Sequence, residues 1–120
     1  MARTLRITKS ITYLDGSTTL LTVPAATDSI TQTNAEVTFI PKSVTTSEVS
    51  VSLGLTTNGE VLIYNRDATN YIEVGTTTAD YPIKIKAGRS AGPFMLNAGK
   101  TLYLKANTAT CKVDIYAWGD

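Results

Sequence analysis

Apolar residues recur at every second position along much of this chain. In the segment from Glu48 to Leu55, Val49, Val51, Leu53 and Leu55 fall on one side, with Ser50, Ser52 and Gly54 on the other. That period belongs to a β-strand with one face against a core. The same alternation sets Ile83 and Ile85 against Lys84 and Lys86, Leu102 and Leu104 against Tyr103 and Lys105, and Val113 and Ile115 against Lys112 and Asp114. Threonine, valine, isoleucine and tyrosine are spread throughout, while alanine, glutamate and lysine nowhere cluster at helical spacing, so strands are predicted for most of the chain. Asp15-Gly16 and Asn58-Gly59 each lie between two such runs and predict two-residue hairpin turns, because glycine and its Asx neighbour tolerate positive φ. Further breaks fall near Pro24, Pro41, Gly75, Gly88 and Gly99. Short strands at this turn spacing predict an all-β fold, a single antiparallel, jelly-roll-like β-sandwich of about eight or nine strands.

Length fits that fold: 120 residues suffice for one hydrophobic core, and no linker or internal repeat divides residues 1–120. Residues 26–34, ATDSITQTN, are the most polar and least periodic, and predict a mobile loop. Residues 1–23 are left between two readings, a hairpin of the sandwich or an arm that reaches a neighbouring subunit.

Composition narrows the chemistry. A formal net charge of +1 with 18% charged residues does not call for a nucleic-acid partner, and it offers little electrostatic resistance to self-association. No apolar run approaches the roughly 20 residues of a membrane span, and Arg3, Arg6 and Lys9 precede no apolar stretch of signal-peptide length; a cytosol-like site of synthesis is expected. The chain has no histidine and one cysteine, Cys111. Histidine-dependent triads, thiolate metal sites and disulfide frameworks are thereby excluded, and Cys111 is expected to be a buried, inert thiol. No phosphate-cradling glycine loop or calcium loop is present, so no cofactor is expected.

The densest polar stretch is Asn65-Arg66-Asp67-Ala68-Thr69-Asn70-Tyr71-Ile72-Glu73-Val74-Gly75. Asp67 and Glu73 are a nominal carboxylate pair of the kind that glycosidases use. The reading preferred for them is a strand corner, in which Asp67 and Asn70 bond local backbone amides as Asx turns. Lys84, Lys86 and Lys105 are expected to share an outer face, where lysine discourages strand-to-strand aggregation. Trp118 alternates with Val113, Ile115 and Ala117; it is therefore expected to face away from that apolar set, as a candidate contact with a partner. Leu5 and Ile7 share one face of the N-terminal segment 2–8, a candidate for pairing between chains or with another protein by strand addition.

The second half of the chain resembles small structural proteins of tailed bacteriophages. The resemblance runs through Tyr64 to Gly75, then Ile85-Lys86-Ala87-Gly88-Arg89, then Thr101 to Val113 with its Ala106-Asn107-Thr108 core. It covers about residues 60–118, and Arg89 departs from the glutamate expected there. The resemblance implies a virion component without catalytic residues, most similar to capsid decoration (cement) proteins. Such a protein is made in the host bacterial cytoplasm and sits on the capsid surface of the virion. The implied partners are the major capsid protein and further copies of itself, as a homotrimer or homodimer. A tail, head-completion or receptor-binding component is the alternative, since one fold serves several roles.

Overall fold

Ten antiparallel strands fall into three sheets in the computed structural model, which describes residues 3–32 and 36–119. The chain divides into two units, residues 1–33 and 34–120.

The first unit is a two-stranded ribbon of β1 (Arg3–Asp15) and β2 (Thr18–Gln32). Its turn is the one that Asp15-Gly16 signals, with Gly16 at φ +59°. The ribbon is longer than the sequence pattern suggests. Residues expected to form a mobile loop continue β2 instead, with Ala26, Thr27, Asp28, Ser29 and Ile30 opposite Lys9, Thr8, Ile7, Arg6 and Leu5. Backbone pairing overrides weak periodicity here, and the Thr8 and Thr27 hydroxyls bond across the strands at 2.8 Å, a cross-strand pair that favours the ladder. Thr33 and Asn34 of that expected loop and Ala2 of the candidate pairing segment lie outside the described residues.

The second unit is an eight-stranded sandwich. One sheet runs β3 (Val37–Val44), β10 (Cys111–Gly119), β5 (Gly59–Asn65), β8 (Ser90–Leu96); the other runs β4 (Val49–Ser52), β9 (Thr101–Ala106), β6 (Ile72–Gly75), β7 (Ile83–Ile85). Consecutive strands β3 and β4, β4 and β5, and β5 and β6 lie in opposite sheets, which is the double Greek key of a jelly roll. The strand total thus exceeds the eight or nine expected of one sandwich, because the N-terminal ribbon stands as a separate sheet.

Alternation places the core as the sequence suggests. Val51, Leu53, Ile72, Val74, Ile85, Leu102 and Leu104 from one sheet and its flanks meet Val44, Val61, Ile63, Val113, Ile115 and Ala117 from the other, all buried. Asn58-Gly59 is not a hairpin turn, however. β4 pairs β9 while β5 pairs β10 and β8, so the chain crosses between sheets at this point. Gly59 is required by close approach: a Cβ there would collide with Leu55 Cδ1 and lie 2.9 Å from the Trp118 carbonyl oxygen. Among the described residues no helix is long and apolar enough to cross a membrane.

Candidate interaction surfaces

The polar corner after β5 is built on Asn65, a fully buried side chain. Its Nδ2 donates to the main-chain oxygens of Asn70 (2.9 Å) and Ile85 (3.1 Å), and its Oδ1 accepts from the Asp67 amide at 3.0 Å. Asp67 Oδ2 in turn accepts from the amides of Thr69 (3.0 Å) and Asn70 (2.6 Å). The Asn70 amide, then that of Thr69, hold the Asp67 carboxyl below the usual aspartate range. A carboxylate so committed and kept ionised is ill-suited to act as a general acid, which needs a raised pKa. The same corner carries Arg66, whose Nε donates to Asp114 Oδ2 at 2.7 Å and whose guanidinium lies 4.1 Å from the centre of the Tyr64 ring. Hydrogen bonding to Asp114, and after it to Tyr116, raises the Arg66 pKa still further. Sequence reasoning identified Asp67 and missed Asn65, because its partner Ile85 comes 20 positions later and in the other sheet.

A second clip fixes the loop after β6. Glu48 Oε1 accepts from the Ala79 amide (2.8 Å) and the Tyr81 hydroxyl (2.7 Å), where Ala79 has the left-handed φ of +59°. The Tyr81 hydrogen bond, followed by that of Ala79, lowers the Glu48 pKa. Glu36 is lowered likewise by Thr56, whose hydroxyl and amide both donate to its carboxylate. Cys111 is buried, and desolvation, with a smaller push from Asp67, raises its thiol pKa; such a thiol is a poor nucleophile. No group of three or more potential metal ligands occurs among the described residues.

The two outer faces of the sandwich differ in kind. On the β4-β9-β6-β7 sheet, cross-strand rows set Ser50 beside Tyr103, Ser52 beside Thr101, and Glu73 between Lys84 and Lys105. This face is polar. Lys84 Nζ sits 4.4 Å from the centre of the Tyr71 ring, and Tyr71, Lys84, Lys86 and Arg89 line a shallow groove. Lys84 and Lys105 therefore share a face as expected, with Glu73 between them.

The outer face of the β3-β10-β5-β8 sheet is apolar and aromatic. One row sets Val37 beside Trp118, Glu60 and Met95, and the next sets Phe39 beside Tyr116 and Leu62. Phe39 and Tyr116 stack with ring centres 4.9 Å apart, and Tyr116 and Trp118 follow at 6.2 Å and 11°. Val37, Phe39 and Met95 remain 59%, 55% and 49% exposed. Trp118 lies on this outer face, half-buried, while Val113, Ile115 and Ala117 are buried.

Leu5 and Ile7 lie in the other unit, half-buried, opposite Ile30 and Asp28. β1 keeps steps of two through the irregularity between Lys9 and Ile11; Leu5, Ile7, Ile11 and Tyr13 therefore share one face of the ribbon, with Ile30, Val23 and Leu21 as their cross-strand neighbours. Ile11, Tyr13 and Leu21 are each more than 60% exposed. The opposite face carries Thr4, Arg6, Thr8 and Thr12 beside Thr31, Ser29, Thr27 and Thr22, with the exposed Leu14 near the turn. Leu5 and Ile7 thus belong to one apolar surface and Trp118 to another.

Comparison of the chain with protein-family models, with curated proteins and with solved structures finds no match.

Proposed function

We propose that this chain is a non-enzymatic structural protein of a tailed-phage virion, a capsid decoration protein that binds the outer surface of the head and bridges subunits of the major capsid protein. The observation that carries this reading is the ribbon. Two strands of 13 and 15 residues form a unit with an exposed apolar row and a largely polar back, and a two-stranded sheet is only marginally stable by itself in water. Such an element gains its stability from a partner surface. Together with a jelly roll whose polar corners are closed by internal hydrogen bonds, it fits a protein that works through many shallow contacts on a repetitive lattice. The sequence resemblance to phage structural proteins supplies the kind of lattice.

A receptor-binding role would rest on aromatic ring faces free to stack on a sugar. Tyr116 instead has Phe39 and Trp118 stacked beside it, which favours contact with a protein surface.

The test is co-sedimentation of the purified protein with phage heads that lack it. Saturable binding at a fixed ratio to the major capsid protein is expected, and removal of residues 1–8 abolishes it. Absence of saturable binding, or full binding by the shortened chain, contradicts the proposal.

A further inference from the structure

We propose that the apolar row of the ribbon docks on the aromatic outer face of the β3-β10-β5-β8 sheet of a second copy of this chain, and that the exchange is reciprocal. The inference deepens the structural role just proposed by naming the partner of both apolar surfaces.

Both surfaces need a cover. Ile11, Tyr13 and Leu21 on the ribbon, and Val37, Phe39 and Met95 on the sandwich, are between 49% and 62% exposed. Contiguous apolar surface of this kind marks an interaction site. The second outer face of the sandwich is the control within the same molecule: its serines, threonines and alternating Lys84, Glu73 and Lys105 need no cover.

Charge points the same way. Among the described residues the Glu60 carboxylate, between Trp118 and Met95, has no cationic partner. The apolar row of β1 carries Arg3 in phase with Leu5 and Ile7, and Asp28 lies opposite Ile7, four positions further along the same face. A ribbon laid with its Arg3 end over the Glu60 row brings a positive group to the one acid in the aromatic patch. A net charge of +1 per chain adds little repulsion between copies.

Area decides in favour of exchange. At ~3.3 Å per residue and about 10 Å across two strands, the 13-residue β1 side of the ribbon presents a footprint of about 43 by 10 Å. Two ribbons stacked face to face would bury roughly 860 Å² in all, short of the ~1,200 Å² at which specific interfaces begin. One ribbon on the sheet, limited by the ~30 Å length of the nine-residue β10, buries about 600 Å² in all. Two reciprocal dockings reach about 1,200 Å², and because both are made within one pair of chains the assembly closes as a two-fold dimer.

The experiment is analytical ultracentrifugation of the full chain in the absence of particles, with Ile11→Asp as the ribbon variant and Phe39→Asp as the sheet variant. Both side chains are exposed, and far-UV circular dichroism identifies any variant that has lost its fold. Tyr103→Asp, on the polar outer face, is the control. Wild type and Y103D are expected to associate, and I11D and F39D each to weaken association at least about 10-fold. Mixing I11D with F39D restores one intact docking, so the mixture associates more tightly than either variant alone. Neither ribbon-on-ribbon nor sheet-on-sheet contact predicts that recovery. A wild-type chain that is monomeric at about 100 μM, or a folded pair of variants that shows no recovery on mixing, overturns the inference. A chain that associates as described yet does not bind heads overturns only the virion role.

Discussion

The side-chain amide of Asn65, at the end of β5, donates to the main-chain oxygen of Ile85, at the end of β7, at 3.1 Å. The two residues belong to opposite sheets, so this buried bond ties the layers of the sandwich at the corner where Asp67, Asn70 and Thr108 also meet. Asn65→Ala removes both donors and leaves the oxygens of Asn70 and Ile85 without them. A loss of about 2–4 kcal/mol in unfolding free energy is expected. Urea unfolding measures it, and a loss below about 0.5 kcal/mol, the range of a neutral surface change, contradicts the assignment.

Three carboxylates, Glu36, Glu48 and Asp67, have pKa values below their ordinary ones through hydrogen bonds to Thr56, to Tyr81 and Ala79, and to Asn70 and Thr69. Their folded values lie below their unfolded ones, so each contributes stability that is full above the unfolded value and is lost as pH falls through the folded value. The protein is expected to hold its urea midpoint down to about pH 5 and to lose it progressively below about pH 4. Glu48→Gln retains the shape but not the charge, and it reduces the difference between the midpoints at neutral and acid pH. An unchanged difference would show that Glu48 contributes nothing to the acid sensitivity.

Cys111 is expected to resist alkylation in the native protein and to react once denaturant exposes it, since both burial and a raised pKa deplete the thiolate. The rate of iodoacetamide modification, followed by mass spectrometry with and without denaturant, checks this. Rapid reaction under native conditions would place the thiol at the surface.

The sandwich has its own core and the ribbon does not. A chain of residues 34–120 should therefore unfold cooperatively in urea, whereas a peptide of residues 1–33 should show little fixed structure alone. A sandwich fragment that fails to fold contradicts this expectation.

The sequence made the sandwich legible wherever one face of a strand is buried. Val49, Val51 and Leu53, or Val113, Ile115 and Ala117, alternate because a core lies on one side only. The ribbon was half legible. Asp15-Gly16 marks its turn, but the expected loop of residues 26–34 is strand as far as Gln32, because strand order there comes from backbone pairing with β1 rather than from burial. Asn58-Gly59 misled for the opposite reason: its local chemistry suits a tight turn, while the partners of β5, which are β10 and β8, are set by long-range packing. Trp118 was placed outward by its phase alone, yet its stack with Tyr116 and Phe39 depends on β3 and β10 being neighbours. Asn65 carried no signal, since nothing in its surroundings along the chain names Ile85.

The proposed coating of a phage head is tested most directly by the copy number of this chain on purified particles. Quantitative mass spectrometry against the major capsid protein gives the ratio. A number of copies in simple proportion to the capsomers is predicted; a handful per particle, or none, contradicts the claim.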